Sequence, residues 1–158
     1  MALQRISSAL ITDATVATGD IADDAITAAK LDAAALAAGT FSGSVQFSGA
    51  VTLNEDTLSD GATVAWDVTA SPVAKLTLGG NRILSAPSNA VGAGQYISLL
   101  VIQDGTGSRT LTWNAAYEFK DDTAPTLTTT ASKGDLFTFR YNGSKWLETG
   151  RNQNLTLS

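Results

Sequence analysis

The chain has 158 residues, 44% of them hydrophobic and 16% charged, with ten Lys and Arg against fifteen Asp and Glu for a net charge of −5. That balance argues against a grip on nucleic-acid phosphates or on an anionic membrane surface, both of which want a basic face. Neither cysteine nor histidine occurs. Their absence removes disulfides, thiolate zinc sites, the usual general base at neutral pH and every Ser-His or Cys-His nucleophile pairing.

The length suits one domain, or one domain with an arm. The segment from Met1 to Ile11 holds one basic residue, and apolar runs such as Leu99 to Ile102 are too short to span a bilayer, so a soluble protein is expected. Composition changes near residue 41. Residues 1–40 contain thirteen alanines, five aspartates and no aromatic, while all eleven aromatics lie at Phe41 or beyond. A shift this sharp marks a boundary, with 1–41 as an arm and 42–158 as a globular head domain.

The arm carries an internal repeat. Ile6, Ile11, Val16, Ile21, Ile26, Leu31, Leu36 and Phe41 stand five residues apart, and a small residue precedes most of them by two positions (Ala9, Ala14, Gly19, Ala29, Ala34, Gly39). A period of five alternates faces on a strand and scatters side chains around a helix, so it serves neither element. Such a repeat buries its apolar side chains only against neighbouring copies. Four readings stand: a short four-sided β-solenoid, a bent thread packed on the same thread of other subunits, a partly helical stripe through Ala22, Ile26, Ala29, Ala33 and Leu36 stopping at Gly39, or an Ala-rich disordered linker.

Beyond Phe41 the pattern alternates. Val45, Phe47, Val51 and Leu53 predict a half-buried strand, as do Val64, Trp66 and Val68, then Ala74, Leu76 and Leu78. Tyr96 to Ile102 is nearly continuous in apolar residues and predicts a central strand covered on both faces. Leu111 with Trp113, Phe137 with Phe139 and Tyr141, and a last strand around Trp146 complete the set. Turns at Asp60-Gly61, Gly79-Gly80-Asn81, Asp104 to Gly107 and Asn142-Gly143 separate these runs. Two of them predict antiparallel hairpins, joining 96–103 to 109–113 and 135–141 to 145–149. The fold class is therefore all-β, an antiparallel β-sandwich or jelly-roll-like domain behind the extended or partly helical arm.

Chemistry is sparse. Asp121-Asp122 and Glu55-Asp56 are adjacent carboxylates, which point to opposite sides of an extended chain and so do not face each other across a sugar. Asp104-Gly-Thr-Gly and Asp20 to Asp24 are oxygen-rich but lack calcium-loop spacing. Trp66, Trp113 and Trp146 suit sugar stacking, yet each sits in an alternating strand where a core role is favoured. Asn142-Gly-Ser and Asn154-Leu-Thr match a glycosylation acceptor, the first being accounted for by its turn. No catalytic, metal or cofactor residue is expected, and the chain is read as no enzyme.

Leu76-Thr-Leu-Gly-Gly-Asn-Arg-Ile-Leu-Ser-Ala-Pro, Gln103-Asp-Gly-Thr-Gly-Ser-Arg-Thr-Leu-Thr-Trp-Asn, Ala124-Pro-Thr-Leu-Thr-Thr-Thr-Ala and Asp135-Leu-Phe-Thr-Phe-Arg-Tyr together resemble a β-domain recurrent in tailed-bacteriophage fibre and virion structural proteins. The arm, from Ile11 through Ile21-Ala-Asp-Asp-Ala-Ile-Thr-Ala-Ala-Lys-Leu31, is similar to the Ile-Thr/Ala-Lys-Leu repeats at the N-terminal parts of phage tail fibres. Tyr117-Glu-Phe-Lys-Asp-Asp stands where members commonly have a Trp followed by Gly-Gly. The resemblance implies a virion structural protein, a homotrimer whose arm docks on a capsid or tail protein, as a short fibre or a capsid decoration protein. The alternative is an adhesin whose β-domain grips a host-surface glycan. Small size favours the structural role.

Overall fold

The structure, a computed structural model, describes residues 46–157. The repeat positions Ile6, Ile11, Val16, Ile21, Ile26, Leu31, Leu36 and Phe41 lie outside the described residues. Nine strands occur among the described residues: β1 (Glu55–Thr57), β2 (Thr63–Val64), β3 (Val73–Leu78), β4 (Arg82–Leu84), β5 (Tyr96–Gln103), β6 (Leu111–Trp113), β7 (Tyr117–Glu118), β8 (Lys133–Tyr141) and β9 (Trp146–Thr156). They form a six-stranded sheet ordered β1-β3-β5-β8-β9-β7 and a three-stranded sheet ordered β2-β4-β6. The all-β class read from the alternation is the class observed.

Strand direction is mixed rather than antiparallel throughout as the turns predicted, because the chain crosses between sheets instead of folding back as hairpins, and its pattern is specific. From β1 to β6 the chain alternates between the two sheets. β1, β3 and β5 pair in parallel in one, and β2, β4 and β6 pair in parallel in the other. This is a winding of three coils, each contributing one strand to each sheet. Parallel neighbours need a crossover, and here the opposite sheet supplies it in place of a helix. Antiparallel pairing is confined to β5 with β8 and β8 with β9, while β7 lies parallel to β9.

Three further sequence expectations are corrected. The turn at Asp104–Gly107 does not close a hairpin: β6 crosses to the other sheet and pairs with β4. The buried Gln103 side chain takes the place of the ladder there, donating from Nε2 to the Arg109 carbonyl at 2.9 Å and accepting the Arg109 N–H at 2.8 Å. The run from Val45 to Leu53 is not a strand over its described part. Phe47, Val51 and Leu53 are exposed, and regular pairing begins only at Glu55, so no sheet covers that alternating face. β5 is central as expected, but one face only is fully covered: Ile97, Leu99 and Val101 are buried, Leu100 and Ile102 half-buried and Tyr96 exposed. The second expected hairpin is present. Asn142 Oδ1 accepts the Ser144 and Lys145 N–H groups at 2.9 and 2.7 Å, turning β8 into β9.

Alternation then determines the core. Ala74, Leu76 and Leu78 of β3, Leu99 of β5, and Phe137 and Phe139 of β8 meet Val64, Leu84 and Leu111 from the smaller sheet. Each fully buried side chain of this kind contributes roughly 1.5–3 kcal/mol. Trp113, at the end of β6, stands edge-on to Tyr117, Phe119 and Phe137 with ring centroids 5.2, 5.1 and 5.0 Å away. These are favoured edge-to-face geometries, and they join both sheets to the segment after β6.

Charged clamps hold the corners where one coil stacks on the next. Asp60, after β1, takes Arg82 Nε at 2.6 Å and Nη2 at 2.7 Å, and the Gly79 N–H at 3.2 Å. A Cβ at Gly79 would stand 2.7 Å from the Asp60 carboxylate, so the close approach needs glycine. In the third coil Asp104 takes Arg109 at 3.0 and 2.8 Å. The guanidinium hydrogen bond from Arg82 lowers the Asp60 pKa, and that from Arg109 lowers the Asp104 pKa. A depressed carboxyl adds stability above its usual value of 3.8, and that contribution is lost as pH falls through the lower native pKa. The melting temperature should therefore drop as the pH is lowered through 3.8 and below, and Asp60→Asn should flatten that slope while lowering stability near neutrality. Thermal melts of both proteins across that range check it; an unchanged slope in Asp60→Asn would contradict the clamp.

Candidate functional site

The β8–β9 hairpin carries an irregularity that shapes the surface. Thr138 pairs with Gly150 and Phe139 with Glu148, leaving Thr149 unopposed as a bulge. A bulge bends its strand and re-aims side chains. Here it borders an open cleft of about 590 Å³, lined by Lys120 and Thr123 to Thr126 on one side and Glu148 to Arg151 on the other.

The first wall is a segment of unusual backbone. Asp121 and Asp122 both adopt the left-handed region, at φ 56° and 53°. Each such non-glycine residue costs on the order of 1 kcal/mol, a strain that other contacts must hold. Farther along, the segment is tied down by Asp135 of β8. Its carboxylate, 2% exposed, accepts the Thr128 N–H at 2.7 Å, the Thr128 hydroxyl at 2.6 Å and the Asn154 N–H at 2.9 Å. Gln153 adds its amide to the same carboxylate at 3.3 Å and to the Thr126 carbonyl at 2.7 Å. A buried carboxylate with this many donors is fully satisfied, and it ties the 126–128 segment to β9.

The second wall holds the cleft's charged pair. Arg151 donates from Nε and Nη2 to the two oxygens of Glu148, both at 2.6 Å, a bidentate arrangement. The Glu148 side chain is 7% exposed, against 30% for Arg151. A carboxylate offers about four acceptor positions, and among the described residues Arg151 fills two of them. The cleft thus presents a fixed carboxylate with spare acceptor capacity, a neutralised guanidinium and three threonine side chains.

Asp20 to Asp24 lie outside the described residues, and Asp121 and Asp122 stand in the first wall; the other residues that the sequence put forward for chemistry take structural roles. Trp66 and Trp146 are 1% and 2% exposed, and Trp113 lies half-buried in the aromatic cluster, so none forms a sugar platform on the surface. Both Asp104 oxygens are occupied by Arg109 and by the Thr106 and Gly107 N–H groups. Glu55 pairs with Lys75 at 2.9 Å, and Asn142 serves its turn. Among the described residues no group of His, Cys, Asp or Glu is arranged to hold a metal ion. Sequence reading missed the cleft, because neither a bulge nor two left-handed aspartates announces itself in residue types.

Asp135→Ala should cost roughly 3 kcal/mol, since it strands several donors at once. It should also loosen the first wall, seen as faster hydrogen exchange at Thr126 to Thr130 than elsewhere. Urea unfolding with exchange mapping checks this, and a loss under about 1 kcal/mol would contradict the pinning role.

A family model described as "Putative phage tail fibre C-terminal domain" matches residues 63–146, from β2 to the first residue of β9. No curated protein and no solved structure matches the chain. The match covers more than half of the chain, takes in five of the six coil strands and the Lys120–Thr126 wall, and stops just before Glu148. The role that follows is a structural one in a phage tail, associated with the virion. The chain belongs to this phage tail fibre C-terminal domain family.

Proposed function

We propose that the protein is a short homotrimeric fibre or decoration protein of a bacteriophage virion, attached through residues 1–41 to a capsid or tail protein and presenting residues 42–158 as its head. The observation that carries this reading is the eight-fold apolar repeat from Ile6 to Phe41. Its period of five finds burial only against neighbouring copies or a docking partner. Family membership supports the fibre role, and the work of such a protein is assembly rather than catalysis. Light scattering on the full chain should give a trimer mass. Replacing Ile21, Ile26 and Leu31 together with Asp should lower the mass to that of a monomer while leaving the far-ultraviolet circular dichroism of the β-domain intact. An unchanged mass in that variant would overturn assembly through the repeat.

A second reading, host-glycan adhesin, rests on one feature, the Glu148 carboxylate in the second wall of the cleft, of whose acceptor positions Arg151 fills two. Because Arg151 already neutralises it, the cleft suits a neutral polyhydroxylated ligand more than an anion. Amide NMR titration with glucose, galactose, mannose and N-acetylglucosamine should move Thr123, Thr126 and Thr149 to Arg151 with dissociation constants on the order of millimolar. Arg151→Met should weaken that response roughly tenfold. Absence of saturable shifts there with all four sugars would remove this reading.

A further inference from the structure

We propose that Asn142 is a self-modification site, at which the Gly143 backbone nitrogen closes on the Asn142 side-chain amide and converts the residue to aspartate and isoaspartate. The proposal stands apart from the fibre and adhesin readings and rests on the turn between β8 and β9.

Cyclisation needs a nucleophile, an electrophile and a leaving group, and this turn supplies all three. The backbone nitrogen after an asparagine is the fifth atom of a ring that closes on Cγ, so the attack is intramolecular and its effective concentration high. A side chain on the following residue crowds that attack, and of the seven asparagines in the chain Asn142 alone precedes glycine. Gly143 is exposed at φ 101°, and its N–H donates to no acceptor among the described residues. The electrophile is polarised, because Asn142 Oδ1 accepts the Ser144 and Lys145 N–H groups at 2.9 and 2.7 Å. Both donors are aimed at the oxygen on which negative charge gathers as nitrogen adds to Cγ, which is the arrangement of an oxyanion hole. The leaving nitrogen, Nδ2, is held by no partner among the described residues, and Asn142 faces solvent.

In the first step hydroxide takes the Gly143 N–H proton, a bond forms from that nitrogen to Cγ, and the Cγ–Nδ2 bond breaks to release ammonia. Water then opens the cyclic imide. Breaking the new bond to Cγ leaves aspartate, and breaking the original bond to the Asn142 backbone carbon leaves isoaspartate. One water enters and one ammonia departs, with no change of oxidation state. Elsewhere the ingredients are separated. Asn89 donates from Nδ2 to Asp67 at 2.8 Å and precedes Ala90, while Asn81 Oδ1 accepts the Thr110 N–H at 3.1 Å ahead of Arg82. Asp60-Gly61 and Asp104-Gly105 have the glycine, but their carboxylates are ionised against Arg82 and Arg109 and are poor electrophiles. Isoaspartate adds a backbone carbon to a turn in which the Asn142 N–H meets the Lys145 carbonyl at 3.0 Å and Tyr141 pairs with Trp146. The modification therefore loosens the end of the hairpin whose first strand pairs with β5.

The test incubates the full chain in mildly alkaline buffer beside a peptide of residues 139–147, following both by peptide mass mapping and ammonia release. Asn142 should convert in the folded chain at least as fast as in the peptide, and roughly tenfold or more faster than any other asparagine of the chain. The rate should rise with pH, because base removes the Gly143 proton. Gly143→Ala should slow the conversion roughly tenfold. Asn142→Asp keeps an acceptor for the two N–H groups but has no ammonia to lose, and chains carrying isoaspartate should melt below it. Should alanine disturb the turn, the comparison of folded chain with peptide remains decisive. A folded chain whose Asn142 stays intact, or converts more slowly than in the peptide, would overturn the proposal, since the turn would then shield the amide instead of activating it.

Discussion

The parallel pairing of β1, β3 and β5 is the constraint from which the rest of the described domain follows. Two adjacent parallel strands cannot be joined by a tight turn, because the chain must return to the same end before it pairs again. In this protein the return path is itself a strand, laid in the second sheet. One requirement thus generates both sheets, stacks their strands coil upon coil, and leaves a core between them lined alternately by Leu76, Leu78 and Leu99 from one side and Val64, Leu84 and Leu111 from the other. It also dictates that the corners be strong. The chain reverses direction at Asp60, at Gly79 to Arg82 and at Asp104 to Arg109, and charged hydrogen bonds join the first two corners while backbone and Asn81 bonds join the second to the third.

The winding stops after β6, and the manner of its stopping creates the cleft. Trp113 ends the third coil inside a ring of aromatic neighbours. The following segment then passes through the short β7, which pairs with β9, while the β8–β9 hairpin covers the open side of β5. Covering a parallel sheet's edge with an antiparallel hairpin protects its unpaired backbone groups. The segment between β7 and β8 is left to run over the hairpin, pinned by Asp135, and the cleft is the space beneath it. Two polar atoms of the aromatic ring system, Trp113 Nε1 and the Tyr117 hydroxyl, have no hydrogen-bond partner among the described residues. Burial raises the Tyr117 pKa, so that hydroxyl stays protonated.

Much of the strand content was legible, since Ala74-Leu76-Leu78, Phe137-Phe139 and the Asn142-Gly143 turn state their geometry locally. Partnership was not. Alternation tells which face of a strand is buried but nothing of which strand lies beside it, so Asp104-Gly-Thr-Gly read as a hairpin when it is a corner between sheets. The side chain that resolves the ambiguity, Gln103, imitates a backbone pair in a way that residue type alone does not reveal. The run ending at Leu53 misled for the opposite reason: its alternation is real, but the residues it would cover lie on an outward face. Of the candidate site, the tryptophans were correctly weighed toward the core, whereas the Glu148–Arg151 cleft depends on a bulge at Thr149 that only the pairing register exposes. The repeat from Ile6 to Phe41 was visible as a period, and its meaning is carried by the proposal for assembly.

A fibre domain wound in this way gains rigidity from stacking rather than from size, which suits a protein with few charges and no covalent cross-links. The most direct measurement of the account is a nuclear Overhauser spectrum of the protein in solution, read for contacts between strands. The winding predicts a parallel ladder of Arg82 with Leu111 and Leu84 with Trp113, alongside parallel contacts of Ala74 with Leu99. A regular antiparallel ladder between residues 96–103 and 109–113 would contradict it, and with it the coil and the corners that depend on it.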